Sequence, residues 1–176
     1  MLLIDLQEAY RPVLHAWDRV TAASRLLLRG AQLLGVPVVV TEQYPRGVGA
    51  TAAEVAAALP PAAAVIQKMT MSCYESSQLR RHLEALACRQ IVVMGIEAHA
   101  CVNQSVHDLL AAGYQVHVVR DAISSRRATD VDPAWHKMLV AGALATSSEQ
   151  ALLELVRTAD APEFKALQRL LKDVPA

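Results

Sequence analysis

Short apolar segments alternate with helical segments along almost the whole chain, and this alternation limits the possible folds more than any other feature. Six segments rich in Val, Ile and Leu are short and end at turn or polar residues, which is typical of buried strands. Apolar positions three and four residues apart predict helices around them. The predicted strands cover residues 2–6, 36–41, 62–67, 90–94, 115–120 and 144–147. The predicted helices cover residues 16–34, 75–87, 101–112, 134–139, 149–157 and 163–172.

This order of elements predicts an α/β fold in three layers. Near-continuous apolar strands indicate a parallel sheet that is covered by helices on both faces. We therefore expect one doubly wound, Rossmann-like domain over residues 1–176, with six mostly parallel strands in the order 3-2-1-4-5-6. Ligands of such sheets bind beyond the carboxyl ends of the strands, where the strand order reverses. Here that point lies between strands 1 and 4.

Composition narrows the class of protein. Seventeen basic residues balance seventeen acidic ones and form no basic stripe, so we expect no nucleic-acid partner. No apolar run approaches the roughly 20 residues of a membrane span, and the first residues do not resemble a signal peptide. Three cysteines without a CxxC pair favour free thiols and a cytoplasmic location. A mean hydropathy of +0.25 favours a homo-oligomer, a dimer or larger.

Three chemically active residues fall at the carboxyl edge of the predicted sheet. Asp5 lies at the end of strand 1, Lys68 directly follows strand 3, and Cys101 opens the helix after strand 4. The unpaired N–H groups of a helix N-terminus stabilise a thiolate, and a lysine ammonium adds to this effect. An aspartate in reach can accept a thiol proton and pass it to a leaving group. These residues together predict acyl transfer to sulfur followed by hydrolysis.

Each of these residues also has an ordinary structural interpretation. A buried cysteine is most often a small core hydrophobe, and we expect this of Cys73 and Cys88. An aspartate at a strand end often caps a turn, and a lone lysine is usually solvated. The residues alone therefore leave a catalytic site and a set of structural side chains both open.

The sequence resembles the isochorismatase-like cysteine hydrolase superfamily over nearly its whole length. The most specific match is Val-Met-Gly-Ile-Glu-Ala-His-Ala-Cys-Val at residues 93–102. Supporting matches are Leu-Leu-Ile-Asp-Leu-Gln at 2–7, Val-Ile-Gln-Lys at 65–68 and Asp-Ala-Ile-Ser-Ser-Arg at 121–126. Thr-Glu-Gln-Tyr-Pro at 41–45 is similar to the subgroup of isochorismatase domain-containing proteins. The resemblance implies a catalytic triad of Asp5, Lys68 and Cys101.

The resemblance also implies details of the pocket. Members carry a non-proline cis peptide four residues before the cysteine, which here is Ile96–Glu97. That bond would turn the N–H of Glu97 toward the pocket, where it would form an oxyanion hole with the N–H of Cys101. The predicted substrate-binding residues are Gln7, Gln43, Tyr44, Glu97 and His99.

Two departures from relatives sharpen the predicted chemistry. Nicotinamidases of this superfamily bind a metal through an aspartate and histidines after strand 2, but residues 42–46 contain no histidine. We therefore expect no metal and no cofactor. True isochorismatases cleave a vinyl ether and lack the nucleophilic cysteine. Because Cys101 is present, amide chemistry is the better interpretation.

Three functional hypotheses follow. The first is a metal-independent hydrolase that cleaves a small amide or related C–N bond through a thioester-type intermediate. The second is a binding or scaffold protein that keeps the fold but has little turnover. A dinucleotide site, suggested by the sheet alone, is disfavoured because no GxGxxG follows strand 1.

Overall fold

The structure is a computed structural model that describes residues 1–172 of the chain. Residues 173–176 of the predicted domain lie outside the described residues. Six strands form the sheet: β1 (Leu2–Ile4), β2 (Val39–Gln43), β3 (Ala64–Lys68), β4 (Gln90–Ile96), β5 (Gln115–Ser124) and β6 (Leu144–Thr146). The helices are α1 (Trp17–Leu33), α2 (Pro45–Val48), α3 (Ala53–Ala56), α4 (Ser77–Ala85), α5 (Asn103–Ala111), α6 (Val131–Val140), α7 (Ser148–Val156) and α8 (Phe164–Lys172).

The sheet has the order β3-β2-β1-β4-β5-β6 and every neighbouring pair is parallel. The predicted α/β class and strand order are thereby confirmed. The central strand β1 pairs on both sides, with Ile4 opposite Thr41 of β2 and Gly95 of β4. The carboxyl ends of β1, β2 and β4 therefore meet at one edge, at the reversal of strand order.

Two hydrophobic clusters cover the two faces of the sheet and make the three layers. Side chains of β1 alternate between them: Leu3 packs with Leu27 of α1 and Leu152 of α7. Leu2 and Ile4 belong to the opposite cluster, which α4, α5 and α6 complete. Burial of each such side chain contributes about 1.5–3 kcal/mol, so the strand that carries the candidate site is fixed on both faces.

Some predicted boundaries differ from those of the structure, for local reasons. Strand β2 begins at Val39 rather than residue 36, because Pro37 has no N–H to donate to a ladder. Strand β5 continues to Ser124 rather than residue 120, because after a register shift Ile123 and Ser124 pair with the end of β4. No helix within residues 1–172 has both the length and the apolar character needed to cross a membrane.

Candidate active site

Asp5 follows β1 directly and is held from two sides. Its backbone has φ of 51°, a left-handed conformation that few residues other than Gly adopt, and aspartate is among those that tolerate it best. The hydroxyl of Thr41 donates to Asp5 Oδ1 at 2.7 Å. The ammonium Nζ of Lys68 lies 2.7 Å from Asp5 Oδ2. Each carboxylate oxygen of this buried side chain therefore has a defined partner.

Lys68 ends β3 opposite Gln43 of β2, and its side chain extends under the end of β2 to reach Asp5. Its ammonium also donates to Gln43 Oε1 at 2.6 Å and to the carbonyls of Thr70 at 3.0 Å and Met71 at 3.2 Å. A buried charge is costly unless it is paired and hydrogen-bonded, and this ammonium meets both conditions. Its position is therefore set by the fold.

Cys101 lies beyond β4, within reach of the same ammonium. A π-helical turn, Ala98–Val102, carries the cysteine and leads directly into α5, so the predicted helix over 101–112 begins with a distorted turn. Lys68 Nζ lies 3.6 Å from Cys101 Sγ. The three residues of the predicted triad are thus brought together, although 33 residues or more separate each from the next along the chain.

Glycine at position 95 permits this approach. Gly95 has φ of 117°, and a Cβ there would lie 2.0 Å from the carbonyl oxygen of Ile4. No side chain fits against backbone at that distance. The close contact of β4 with β1 places the segment that carries Cys101 beside the segment that carries Asp5.

The surroundings of Cys101 act against thiolate formation. Burial raises the pKa of the Cys101 thiol to about 12; the negative charge of Asp5 acts in the same direction, and Lys68 opposes it. The sequence suggested a thiolate stabilised at a helix N-terminus. Burial and the charge of Asp5 therefore favour the thiol of Cys101, against the effect expected of the helix N-terminus.

The peptide bond between Ile96 and Glu97 is cis, which confirms the prediction for this position. The carbonyl of Glu97 accepts from the N–H groups of Ala100 at 3.0 Å and Val102 at 3.2 Å. Glu97 therefore closes the turn that holds Cys101.

Two of the predicted substrate-binding residues are hydrogen-bonded within the protein. Gln7 is fully buried, and its amide donates to the carbonyls of Gln43 and Gly49 at 3.0 and 2.6 Å and accepts from the Gln43 N–H at 2.8 Å. The Gln43 side chain accepts from Lys68 and donates to the Met69 carbonyl at 2.9 Å. These hydrogen bonds occupy both amides, so Gln7 and Gln43 position the lysine and the loop after β2.

The other predicted pocket residues differ in exposure. Tyr44 is exposed, and its ring packs over Gly47, where a Cβ would lie 2.2 Å from the ring. The Nδ1 atom of His99 lies 2.9 Å from Ser125 Oγ. His99 also borders a cavity of about 200 Å³. The carboxylate of Glu97 is buried and accepts from Arg126.

Tyr10 is a residue of this region that the sequence did not indicate. It lies in a short turn, Glu8–Tyr10, after β1 and is half-buried. Burial raises the pKa of Tyr10, and the negative charges of Glu97, Cys101 and Asp5 raise it further. Tyr10 therefore belongs to the surroundings of the triad, although no motif marks it.

The Glu42 carboxylate is hydrogen-bonded within the protein. Glu42 of β2 accepts from both the N–H and the hydroxyl of Thr51, each at 2.8 Å. Within residues 1–172, no three or more His, Cys, Asp or Glu side chains are grouped so that they could hold a metal ion. The Glu42 carboxylate instead fixes the loop after α2.

The chain is similar to curated proteins of one family. It is 37% identical over 168 residues to isochorismatase domain-containing protein 1 of Danio rerio, covering 96% of this chain and 59% of that protein. It is 37% identical over 175 residues to isochorismatase domain-containing protein 2A of Mus musculus, covering 98% of this chain and 82% of that one. The chain thus spans about three-fifths of the length of the first of these relatives.

Solved structures agree with this placement. The structure of MAR1 ribonuclease from Caenorhabditis elegans superposes with a TM-score of 0.94 at 37% identity, covering 99% of this chain and 90% of that one. N-carbamoylsarcosine amidase from Thermoplasma acidophilum shares the fold, with a TM-score of 0.68 at 21% identity, covering 84% of this chain and 94% of that one. The family model described as the isochorismatase domain matches residues 1–150. The chain therefore belongs to the isochorismatase-like hydrolase family, in the subgroup of isochorismatase domain-containing proteins.

Proposed function

We propose that the protein is a cysteine-dependent hydrolase that cleaves the C–N bond of a small amide. One observation carries this proposal. A single buried ammonium, Lys68 Nζ, lies 2.7 Å from a carboxylate oxygen of Asp5 and 3.6 Å from the sulfur of Cys101. A base, a cation and a nucleophile thus meet at the sheet edge where this kind of fold binds its ligands.

In the first half of the proposed reaction, Cys101 Sγ attacks the carbonyl carbon of the amide as its proton passes to Asp5. Burial and the negative charge of Asp5 raise the pKa of the thiol, which favours transfer of its proton to Asp5 as the bond to carbon forms. The negative charge that develops on the carbonyl oxygen would be held by the N–H groups of Glu97 and Cys101. The Lys68 ammonium, 2.7 Å from Asp5 Oδ2, balances charge during the transfer.

In the second half, the C–N bond breaks and the amine leaves with the proton that Asp5 received. A thioester on Cys101 remains. Asp5 then takes a proton from water, and the resulting oxygen nucleophile attacks the thioester carbonyl. The C–S bond breaks, the carboxylic acid leaves, and the proton returns to the sulfur. Atoms and charge balance without any further reactant.

We further propose that these steps need no metal ion and no cofactor. The chain's own side chains supply the nucleophile, the base and the cation. The Glu42 carboxylate of β2 already binds Thr51. Treatment with a chelator is therefore expected to leave amide turnover unchanged, and loss of turnover that a divalent metal restores would contradict this.

The proposal is tested by ammonia release from a panel of small primary amides. We expect Cys101→Ala to lower kcat by about 10⁴-fold or more while the protein stays folded, since a missing nucleophile removes the covalent path. Cys73→Ala is the matched control, because Cys73 is also a buried cysteine of the same hydrophobic cluster. Turnover retained in Cys101→Ala, or absent from the unaltered protein across the panel, would refute the proposed activity.

Two rival functions belong in the same experiment. A binding or scaffold protein would bind amides without Cys101-dependent product. The ribonuclease named for the Caenorhabditis elegans neighbour suggests phosphodiester cleavage, so a single-stranded RNA is included. The chain has no net charge and the surroundings of Cys101 contain two carboxylates, which does not favour a polyanion.

We also propose that the protein forms homo-oligomers and works in the cytoplasm. Apolar side chains are exposed near both edges of the sheet: Val65 and Met69 at the β3 edge, Val140 and Leu144 near the β6 edge. All three cysteines are unpaired, as in a reducing compartment. Light scattering at micromolar concentration tests the first point, and a monomer would contradict it. Imaging of the tagged protein in its own cell tests the second, and signal confined to another compartment would contradict it.

A further inference from the structure

A second ion pair lies beside the triad, and the proposed reaction does not use its side chains. Glu97 Oε1 accepts from the backbone N–H of Arg126 at 3.0 Å and from its Nε at 2.9 Å. The Glu97 side chain is 7% exposed, whereas that of Arg126 is 58% exposed. Within residues 1–172, the other oxygen, Glu97 Oε2, accepts no hydrogen bond. One half of a nearly buried carboxylate is therefore available to a ligand.

Glu97 lies close to the nucleophile through both the chain and the fold. Its carbonyl closes the turn that holds Cys101, as described above. A surface segment, residues 8–15, lies beside this turn and is held at both ends. Glu8 N–H donates to the Ala50 carbonyl at 3.1 Å, and His15 N–H donates to the Ser125 carbonyl at 3.0 Å. This segment carries Tyr10 between its two anchors. We call Tyr10, Glu97 and Arg126 the mouth of the site.

The field at the mouth is negative. Among the charges that act on the phenol of Tyr10 near neutral pH, that of Glu97 has the largest effect on its pKa, and that of Asp5 acts in the same direction. Arg126 acts in the opposite direction and has a smaller effect than either carboxylate. Because its guanidinium is mostly in water and its Nε is bound to Glu97, Arg126 does not reverse the sign.

We propose that the mouth recognises an N–H donor on the substrate, an ammonium or an amide N–H remote from the scissile bond, through Glu97 Oε2. The unused carboxylate oxygen accepts the hydrogen bond, and the negative field favours a cation over a neutral group and a neutral group over an anion. This inference rests on the proposed amidase function, because only that function makes the bound ligand a substrate. It makes Glu97 a specificity-determining residue and Arg126 the residue that positions it.

The test uses three small alkylating reagents, so that it does not depend on amide turnover. 2-Bromoethylamine is cationic near pH 7.5, iodoacetamide is neutral and iodoacetate is anionic. The rate at which each labels Cys101, mapped by peptide mass, is divided by its rate with 2-mercaptoethanol. Comparing the three ratios within one variant cancels the thiolate fraction of Cys101.

We expect the cationic reagent to exceed the anionic one by about tenfold after this normalisation. Glu97→Gln keeps the size of the side chain and should bring the ratios to within about twofold of each other. Arg126→Ala keeps the backbone N–H that binds Glu97, removes the opposing cation and should widen the preference. Arg127→Ala removes a charge from the exposed neighbouring residue and should change little.

Three outcomes would overturn the inference: a preference for iodoacetate that Arg126→Ala abolishes, a cationic preference that Glu97→Gln leaves intact, or no labelling of Cys101 by iodoacetamide during hours of exposure at pH 9. The first would make Arg126 an anion site. The last would mean that small ligands do not reach Cys101 or the Glu97 beside it, because at pH 9 even a thiol with a raised pKa holds a small reactive thiolate fraction. If labelling shows the expected preference but no amide is hydrolysed, the proposed function fails and the recognition by Glu97 stands.

Discussion

Two carboxylate–cation pairs stand on either side of Cys101, and they differ chiefly in burial. The inner pair, Asp5 with Lys68, has an Oδ2–Nζ distance of 2.7 Å and side chains 2% and 1% exposed. The outer pair, Glu97 with Arg126, has an Oε1–Nε distance of 2.9 Å, but its cation is largely in water. The same two kinds of charge thus meet at nearly the same distance in two different surroundings.

Similar ion pairs have different effects on their surroundings because they are buried to different degrees. Away from water an ion pair acts strongly on its neighbours, and Asp5 accordingly helps to raise the pKa of Cys101. Lys68 also donates to Gln43, Thr70 and Met71, which holds its ammonium in place beside Asp5. The outer pair is screened by solvent on one side and has one free oxygen, which suits recognition. Its contribution to stability should be small.

The largest expected effect comes from breaking the inner pair. Asp5→Asn leaves the Lys68 ammonium buried without a carboxylate, and Lys68→Met leaves the Asp5 carboxylate buried without a cation. Each should lower the free energy of unfolding by about 3–5 kcal/mol, as measured by urea denaturation, and lower kcat by about 10³-fold or more.

The double variant Asp5→Asn/Lys68→Met separates the two effects. Because it removes both charges, it should be more stable than the sum of the single changes predicts, while turnover stays lost. Additive stability losses would show that the two side chains do not act as a pair. Activity near that of the unaltered protein in either single variant would contradict the proposed chemistry.

A smaller loss of stability and turnover is expected from a change at Gln7, which holds the backbone of Gln43, a partner of Lys68. Gln7→Ala removes three hydrogen bonds to backbone groups of Gln43 and Gly49. We expect a loss of about 1–3 kcal/mol in the free energy of unfolding and a lower kcat, because Gln43 would no longer hold Lys68 in place. Gln32→Ala, on the exposed face of α1, serves as the control in the same denaturation series. A loss confined to KM would instead return Gln7 to the predicted role of substrate contact.

The smallest effect is expected when the outer pair is cut. Arg126→Ala should lower the free energy of unfolding by less than about 1 kcal/mol, since most of the guanidinium is solvated and the backbone N–H still binds Glu97. Arg127→Ala provides the baseline for removing a neighbouring charge. A loss as large as that from Lys68→Met would abolish the distinction between the two pairs.

The sequence predicted the inner pair and the frame that carries it. Asp5, Lys68 and Cys101 each follow an apolar strand, and strand order alone places those strand ends together. The helix over 16–34 matches α1 to within one residue at each end, because its apolar periodicity is long. Strand ends and helix lengths follow from the local spacing of apolar residues, which can be read directly from the sequence.

The outer pair and the state of Cys101 depend on contacts that no local pattern records. Residues 121–126 contain polar side chains that resemble a turn, yet Ser124 ends a strand and Arg126 reaches a residue 29 positions earlier. The charge of Glu97 acts on Tyr10 because the segment over residues 8–15 is held at Ala50 and Ser125, beside the site. The thiol pKa follows from burial, which the helix-terminus rule does not include.

Ultraviolet absorbance can show whether Asp5 receives its proton from a neutral Cys101 thiol. Thiolate absorbs near 240 nm, so the difference between the unaltered protein and Cys101→Ala, titrated from pH 5 to 9, reports the charge on Cys101 alone. We expect no rise in this difference up to pH 9, because the pKa of the thiol is raised to about 12. In Asp5→Asn, measured against Asp5→Asn/Cys101→Ala, the rise should move to lower pH, since a negative charge is gone and Lys68 remains. A thiolate already present below pH 7 in the unaltered protein, or a rise that Asp5→Asn leaves in place, would contradict the proposed path of the proton.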